Sequence, residues 1–148
     1  MRKKFRKGVF IVVYNLENKI PEYLILKRKL HWKGWEFPKG GVEKCCSRRK
    51  EAIREIKEET GLDIRKLKNH RKKGKYLYPK KLRDRPGIIG QTYKLYSAEV
   101  KKAIPQLDKK EHESYKWMNF QKAKKVLTYE NQKECLKIVQ DWLIKRIK

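Results

Sequence analysis

Glu51, Glu55, Glu58 and Glu59 crowd into a single short run, EAIREIKEETG. Read as a helix with Ser47 as N-cap and Gly61 as the residue that ends it, the run places the four carboxylates within an arc of roughly 100°. Like-charged neighbours at i,i+3 and i,i+4 cost about 0.2–0.5 kcal/mol per pair, so a helix with only a structural task gains nothing from them. A hard divalent cation reverses that balance, because Mg²⁺ is held by a few carboxylates together with substrate phosphates. The other arc carries Ala52, Ile53 and Ile56, which predicts a buried apolar stripe with the acids presented outward. Arg54 lies four residues before Glu58 and suits an ion pair that fixes a carboxylate's direction.

Such a helix needs a frame. GVFIVVY, from Gly8 to Tyr14, is a β-branched and aromatic run that predicts a buried strand, and EYLILKR, from Glu22 to Arg28, predicts the next. Lys27, Arg28 and Lys29 end that second strand as a basic cluster able to meet phosphates. HWKGWEFPKGG, from His31 to Gly41, reads as a constrained loop leading to the acidic helix. Gly40 and Gly41 allow close main-chain approach there, and Lys39 beside them suits a phosphate. Phe37 is expected in the core.

Beyond Gly61, a short strand is expected from Leu62 to Leu67, then a charge-dense loop from Lys68 to Lys75, and a strand from Gly90 to Val100. Tyr76 and Tyr78 lie beside four basic residues in YLYPKKLRDR, a composition suited to stacked bases and passing phosphates. A turn and short helix are expected over Met118–Leu127. Glu130–Lys148 is amphipathic, with Leu136, Val139, Leu143 and Ile147 at three- and four-residue steps.

The run from Gly40 to Leu62 resembles the Nudix box: glycine, five residues, glutamate, seven residues, then Arg-Glu-aliphatic-x-Glu-Glu-x-Gly-aliphatic. Gly40, Arg54, Glu55, Ile56, Glu58, Glu59, Gly61 and Leu62 agree, and Cys46 stands where the first glutamate is expected. The resemblance implies an α/β fold, a Nudix-like α/β/α sandwich around a central mixed β-sheet. It also implies metal ligands at the Gly40 carbonyl, Glu55, Glu58 and Glu59, with Mg²⁺, or Mn²⁺, as the ion.

The Trp-x-Phe-Pro-Lys-Gly-Gly-Val-Glu run and the EHESYKW stretch look like two Nudix subfamilies, the asymmetrical diadenosine tetraphosphate hydrolases, ranked first, and the related RNA 5′-pyrophosphohydrolases. On that likeness Glu111 is a further metal ligand, with Glu113 as the fallback, and aromatic residues such as Tyr76 and Tyr78 hold the base. His112 reads as a loop histidine, since Mg²⁺ favours oxygen. YPKKL followed by IGQTYK resembles the RNA 5′-pyrophosphohydrolases in particular. The implied activity is Mg²⁺-dependent cleavage of a phosphoanhydride, with diadenosine tetraphosphate ranked before an RNA 5′ end. A non-catalytic RNA-binding module is the reading of a different class.

The chain has 148 residues, 42 Lys and Arg against 17 Asp and Glu, and a formal charge of +25. That length suits one domain, residues 1–148, as a monomer or small homo-oligomer, and that charge attracts polyanions such as RNA. Cys45, Cys46 and Cys135 have no zinc spacing and suggest a reducing, cytoplasmic setting. The basic N-terminus is followed by an apolar run too short for a signal-peptide core, and nothing in the sequence reads as a membrane span.

Overall fold

The computed structural model describes residues 4–42 and 47–147, so Cys45 and Cys46 lie outside the described residues. Its centre is β1 (Lys4–Asn15), in which every residue from Gly8 to Asn15 is buried. Phe10, Val12 and Tyr14 face one apolar cluster while Val9, Ile11 and Val13 face another, so the uninterrupted apolar run reflects cover on both faces. β2 (Glu22–Arg28) divides in the same way, with Tyr23 and Ile25 on one side and Leu24 and Leu26 on the other.

Strands β1 and β2 pair only at Tyr14–Tyr23 and Asn15–Glu22 and then splay apart. The fork is filled by one short segment. β3 (Gly34–Glu36) pairs with β2, and β4 (Lys39–Gly41) pairs with β1. At the turn between them the Pro38 carbonyl accepts the Ile11 N–H at 3.0 Å. β5 (Ile64–Leu77), β6 (Ile88–Val100) and β7 (His112–Met118) complete a seven-stranded sheet, with β6 parallel to β1 and the other pairings antiparallel.

Helix α1 (Arg48–Thr60) covers one face through Ala52 and Ile56. α2 (Phe120–Val126) and α3 (Glu130–Ile147) cover the other through Ala123, Leu136, Val139 and Leu143. The expected α/β/α sandwich around a mixed sheet is therefore the observed one. Among the described residues no helix is long and apolar enough to cross a membrane.

Several local expectations are corrected. Ile53 is 45% exposed and Ile147 is 40% exposed, so neither belongs to the buried stripe of its helix. The expected loop from Lys68 to Lys75 is part of the long strand β5. It lies at the sheet edge, where alternate lysines reach solvent while the backbone pairs with β6, so high charge does not prevent strand formation. What survives of the loop is an irregularity between Asn69 and Lys73, where Arg71 adopts φ 56° and its N–H is accepted by Asn69 Oδ1 at 2.8 Å.

Candidate active site

Both expected caps hold α1 in place. Ser47 accepts the Lys50 N–H at 3.2 Å, and Gly61, at φ 69°, returns its N–H to the Lys57 carbonyl at 2.9 Å. The acids do not all face outward as the sequence suggests. Glu51 and Glu59 are 1% and 2% exposed, whereas the Glu58 side chain is 54% exposed. Glu51 and Glu59 share the buried side of the helix with Ala52, Ile56 and Thr60, while Ile53 is turned to solvent. Arg54 binds Glu51 and also Glu58 at 2.9 Å, which gives it the scaffolding place expected of it.

Gly40 sits in β4 directly over α1. Its carbonyl accepts from Gln91 Nε2 at 3.3 Å, and a Cβ at this position would overlap the Glu55 carboxylate, so only glycine permits the approach. Glu55, Gly40 and Glu111 line one narrow cleft, with Arg6, Arg28, Lys39 and Arg85 among its other walls. Glu113, the fallback, pairs with Lys27 at 3.4 Å on the surface instead. Glu58 is held outside by Arg54.

Glu59 is the most demanding member. Neither of its oxygens has a hydrogen-bond donor among the described residues, and burial, with Glu55 and Glu111 adding repulsion, raises its carboxyl well above the usual range. Burial likewise pushes Glu55 up to about 8, with Arg54 opposing and Glu111 assisting. Glu59, Glu111 and His112 can each offer a ligand atom, all within 4.8 Å of one another. Buried carboxylate oxygens with no proton donor among the described residues, close to Glu111 and His112, fit a divalent cation.

A linked pH effect follows. Between pH 4.5 and about 8 the folded metal-free chain retains a proton at Glu55 that the unfolded chain has lost. Stability without metal is therefore expected to fall as pH rises through that window. Thermal melts at pH 5 and pH 8 should show Mg²⁺ raising the midpoint by several degrees more at pH 8.

Sequence reasoning missed Glu36. It is 1% exposed and joins Arg28 at 3.0 Å, Lys39 at 3.3 Å and His112 Nε2 at 2.9 Å. Burial acts to raise its carboxyl, but Lys39, the His112 hydrogen bond and Arg28 outweigh burial and hold it at about 2. Arg28 is thus not part of an open basic cluster, and Lys39 is lowered by burial despite Glu36. His112 is no loop residue: it is fully buried at the start of β7. A lone glutamate between Trp35 and Phe37 was the only signal.

Tyr76 lines the cleft and also an adjoining pocket of about 170 Å³, with Phe10, Trp32, Pro79 and Tyr129. Lys39 lies 4.8 Å from the Trp32 ring centroid and 5.4 Å from that of Tyr76. Tyr78 differs from expectation. It is 8% exposed, its hydroxyl donates to Gln91 Oε1 at 3.2 Å and accepts from Arg85 at 2.8 Å, so it supports the wall instead of offering a free ring face.

Carboxylates that call for a cation and cations that call for an anion, facing one another in one cleft, mark an enzyme that works on phosphate chains. The NUDIX domain model matches residues 4–138, and the chain belongs to the Nudix hydrolase family. Over 126 residues it is 32% identical to an RNA pyrophosphohydrolase of a Nitratiruptor species, covering 80% of this chain and 81% of that one. An RNA pyrophosphohydrolase of Shigella boydii is 28% identical over 78% of this chain and 70% of its own. Among solved structures, a Caenorhabditis elegans Ap4A hydrolase binary complex superposes with a TM-score of 0.75 at 24% identity, covering 95% of this chain and 98% of that one. The Escherichia coli dihydroneopterin triphosphate pyrophosphohydrolase gives a TM-score of 0.77 at 20% identity, covering 98% and 99%.

Proposed function

We propose that the protein hydrolyses a phosphoanhydride bond of a nucleoside polyphosphate with the aid of Mg²⁺, and that diadenosine tetraphosphate, cleaved asymmetrically, is its preferred substrate. The observation that supports this reading is that the carboxylate cleft and the aromatic pocket adjoin, sharing Trp32, Lys39 and Tyr76 in their walls. One nucleoside base fits the aromatic end, and its phosphates then run past Lys39, Arg28, Arg85 and Arg6 toward the acids. Four cations suit a long, highly charged polyphosphate.

The Gly40 carbonyl, Glu55, Glu59 and Glu111 would hold the metal, with Glu58 reaching it once released from Arg54. When bound, the ion neutralises phosphate charge and lowers the pKa of an attacking water. A glutamate of this group would take up the proton that the water releases. Lys39 and Arg28, pre-positioned by Glu36, stabilise charge on the departing phosphate.

The RNA 5′ end is a second reading, favoured by the pyrophosphohydrolase relatives and by a separate basic groove of about 650 Å³ lined by Phe5, Lys7, Arg48, Lys73, Lys75 and Lys94. Both substrates should be offered in parallel with Mg²⁺ and their products analysed. Preferential release of ATP and AMP from diadenosine tetraphosphate supports the first reading; faster conversion of 5′-triphosphorylated RNA reverses the order.

Base stacking holds substrate equally in the ground and transition states. Tyr76→Ala is therefore expected to raise KM roughly 5- to 150-fold while leaving kcat nearly unchanged, as loss of about 1–3 kcal/mol of stacking implies. An unchanged KM on every nucleotide tested would move the base out of this pocket.

A further inference from the structure

We propose that His112 is a nitrogen ligand to the divalent cation held by Glu59 and Glu111, with Glu36 fixing its tautomer, so that this position binds Mn²⁺ in preference to Mg²⁺. The inference rests on the metal-dependent reading above and adds a ligand, and with it a metal selectivity.

The geometry begins with a break in a strand ladder. Lys27 pairs with Ser114, but the next residue, Arg28, pairs with His112, so the ladder skips Glu113. Glu113 swings out to Lys27, and His112 turns inward to full burial. There its Nε2 lies 2.9 Å from Glu36 Oε2. Glu36 also accepts from Arg28 and pairs with Lys39, so its carboxylate is the acceptor and Nε2 carries the proton.

Nδ1 is then the lone-pair nitrogen. It has no hydrogen-bond partner among the described residues, and Glu59 has no donor there either, its carboxyl meeting only the carboxyl of Glu111. A buried imidazole acceptor and a buried carboxylate left unsatisfied are each costly. Glu59, Glu111 and His112 each offer a ligand atom within 4.8 Å of the others, a spread one cation can bridge. A histidine that donates one ring N–H to a carboxylate and turns the other nitrogen to a metal is the arrangement by which proteins orient and strengthen such ligands. Nitrogen donation favours Mn²⁺ over Mg²⁺, which keeps to oxygen.

The test uses the full chain stripped of metal, loaded with Mn²⁺ and measured by pulsed electron paramagnetic resonance. A nitrogen modulation is expected, and it should change to the ¹⁵N pattern when the protein is grown with ¹⁵N-histidine. The two other histidines lie elsewhere, His31 on Asp84 at 2.9 Å and His70 on Ser97 at 2.6 Å. H112Q should abolish the modulation and weaken Mn²⁺ binding by roughly 10–100-fold, with a smaller change for Mg²⁺. The labelled wild-type spectrum decides the matter even if H112Q fails to fold. Bound Mn²⁺ without histidine coupling overturns the inference and leaves the metal site standing. Failure of the wild-type chain to bind Mn²⁺, or binding that Glu59→Gln does not weaken, overturns the metal-dependent reading itself.

Discussion

Glu59→Gln is expected to abolish most turnover, by well over about 100-fold, while leaving the metal-free protein as stable as the wild type or more so. The two halves of this prediction have one cause. Even outer partners of metal ligands cost about 10–100-fold when removed, and Glu59 is buried against Glu111 with no donor among the described residues to occupy its oxygens. Its ionised form is therefore useful only with a cation present. Without one, an amide relieves the repulsion that Glu55 and Glu111 impose. Steady-state rates at saturating Mg²⁺, paired with thermal melts in chelator, measure both halves. Wild-type turnover would remove Glu59 from the site, and a marked loss of metal-free stability would show that it has a structural partner.

Glu36→Gln should be the most destabilising conservative change in the cleft. The amide keeps an acceptor for His112 but leaves Arg28 and Lys39 buried, at 3% and 7% exposure, without the charge that compensates them. Breaking a buried ion pair by removing one partner costs about 3–5 kcal/mol, which corresponds to a fall of about 6–20 °C at this chain length. Urea unfolding gives the value directly. Adding Lys39→Met to the same chain should recover part of the loss by removing one stranded cation. A cost under about 1 kcal/mol would mean that the cluster is already neutral. Turnover should fall too, since two of the cations assigned to phosphate take their positions from Glu36.

The parts legible in the sequence were those set by local rules. Ser47 and Gly61 bracket α1 because capping is decided within a turn, and Gly8–Tyr14 reads as a buried strand because its apolar run has no polar interruption. Whether Ile53 or Glu59 faces inward was not local, because it depends on how α1 tilts on a sheet assembled from distant strands. Glu36 was illegible for a stronger reason. Its partners come from β2, β4 and β7, and no spacing rule connects positions 28, 36, 39 and 112. Tyr78 misled because stacking composition and wall composition are the same until Gln91 and Arg85 are seen to claim its hydroxyl. The run from Lys68 to Lys75 misled because edge strands tolerate charge that a central strand would not.

The segment that fills the fork between β1 and β2 is stitched to β1 on one side and to β2 on the other. Gly40 therefore cannot move on a hinge of its own: to shift its carbonyl, the two long strands must change the angle at which they part. The Ile11 amide, which closes on the Pro38 carbonyl at the crotch of the fork, is the natural gauge of that angle. Its hydrogen-exchange rate is expected to report each parting of the fork that breaks this bond, from a position inside the core.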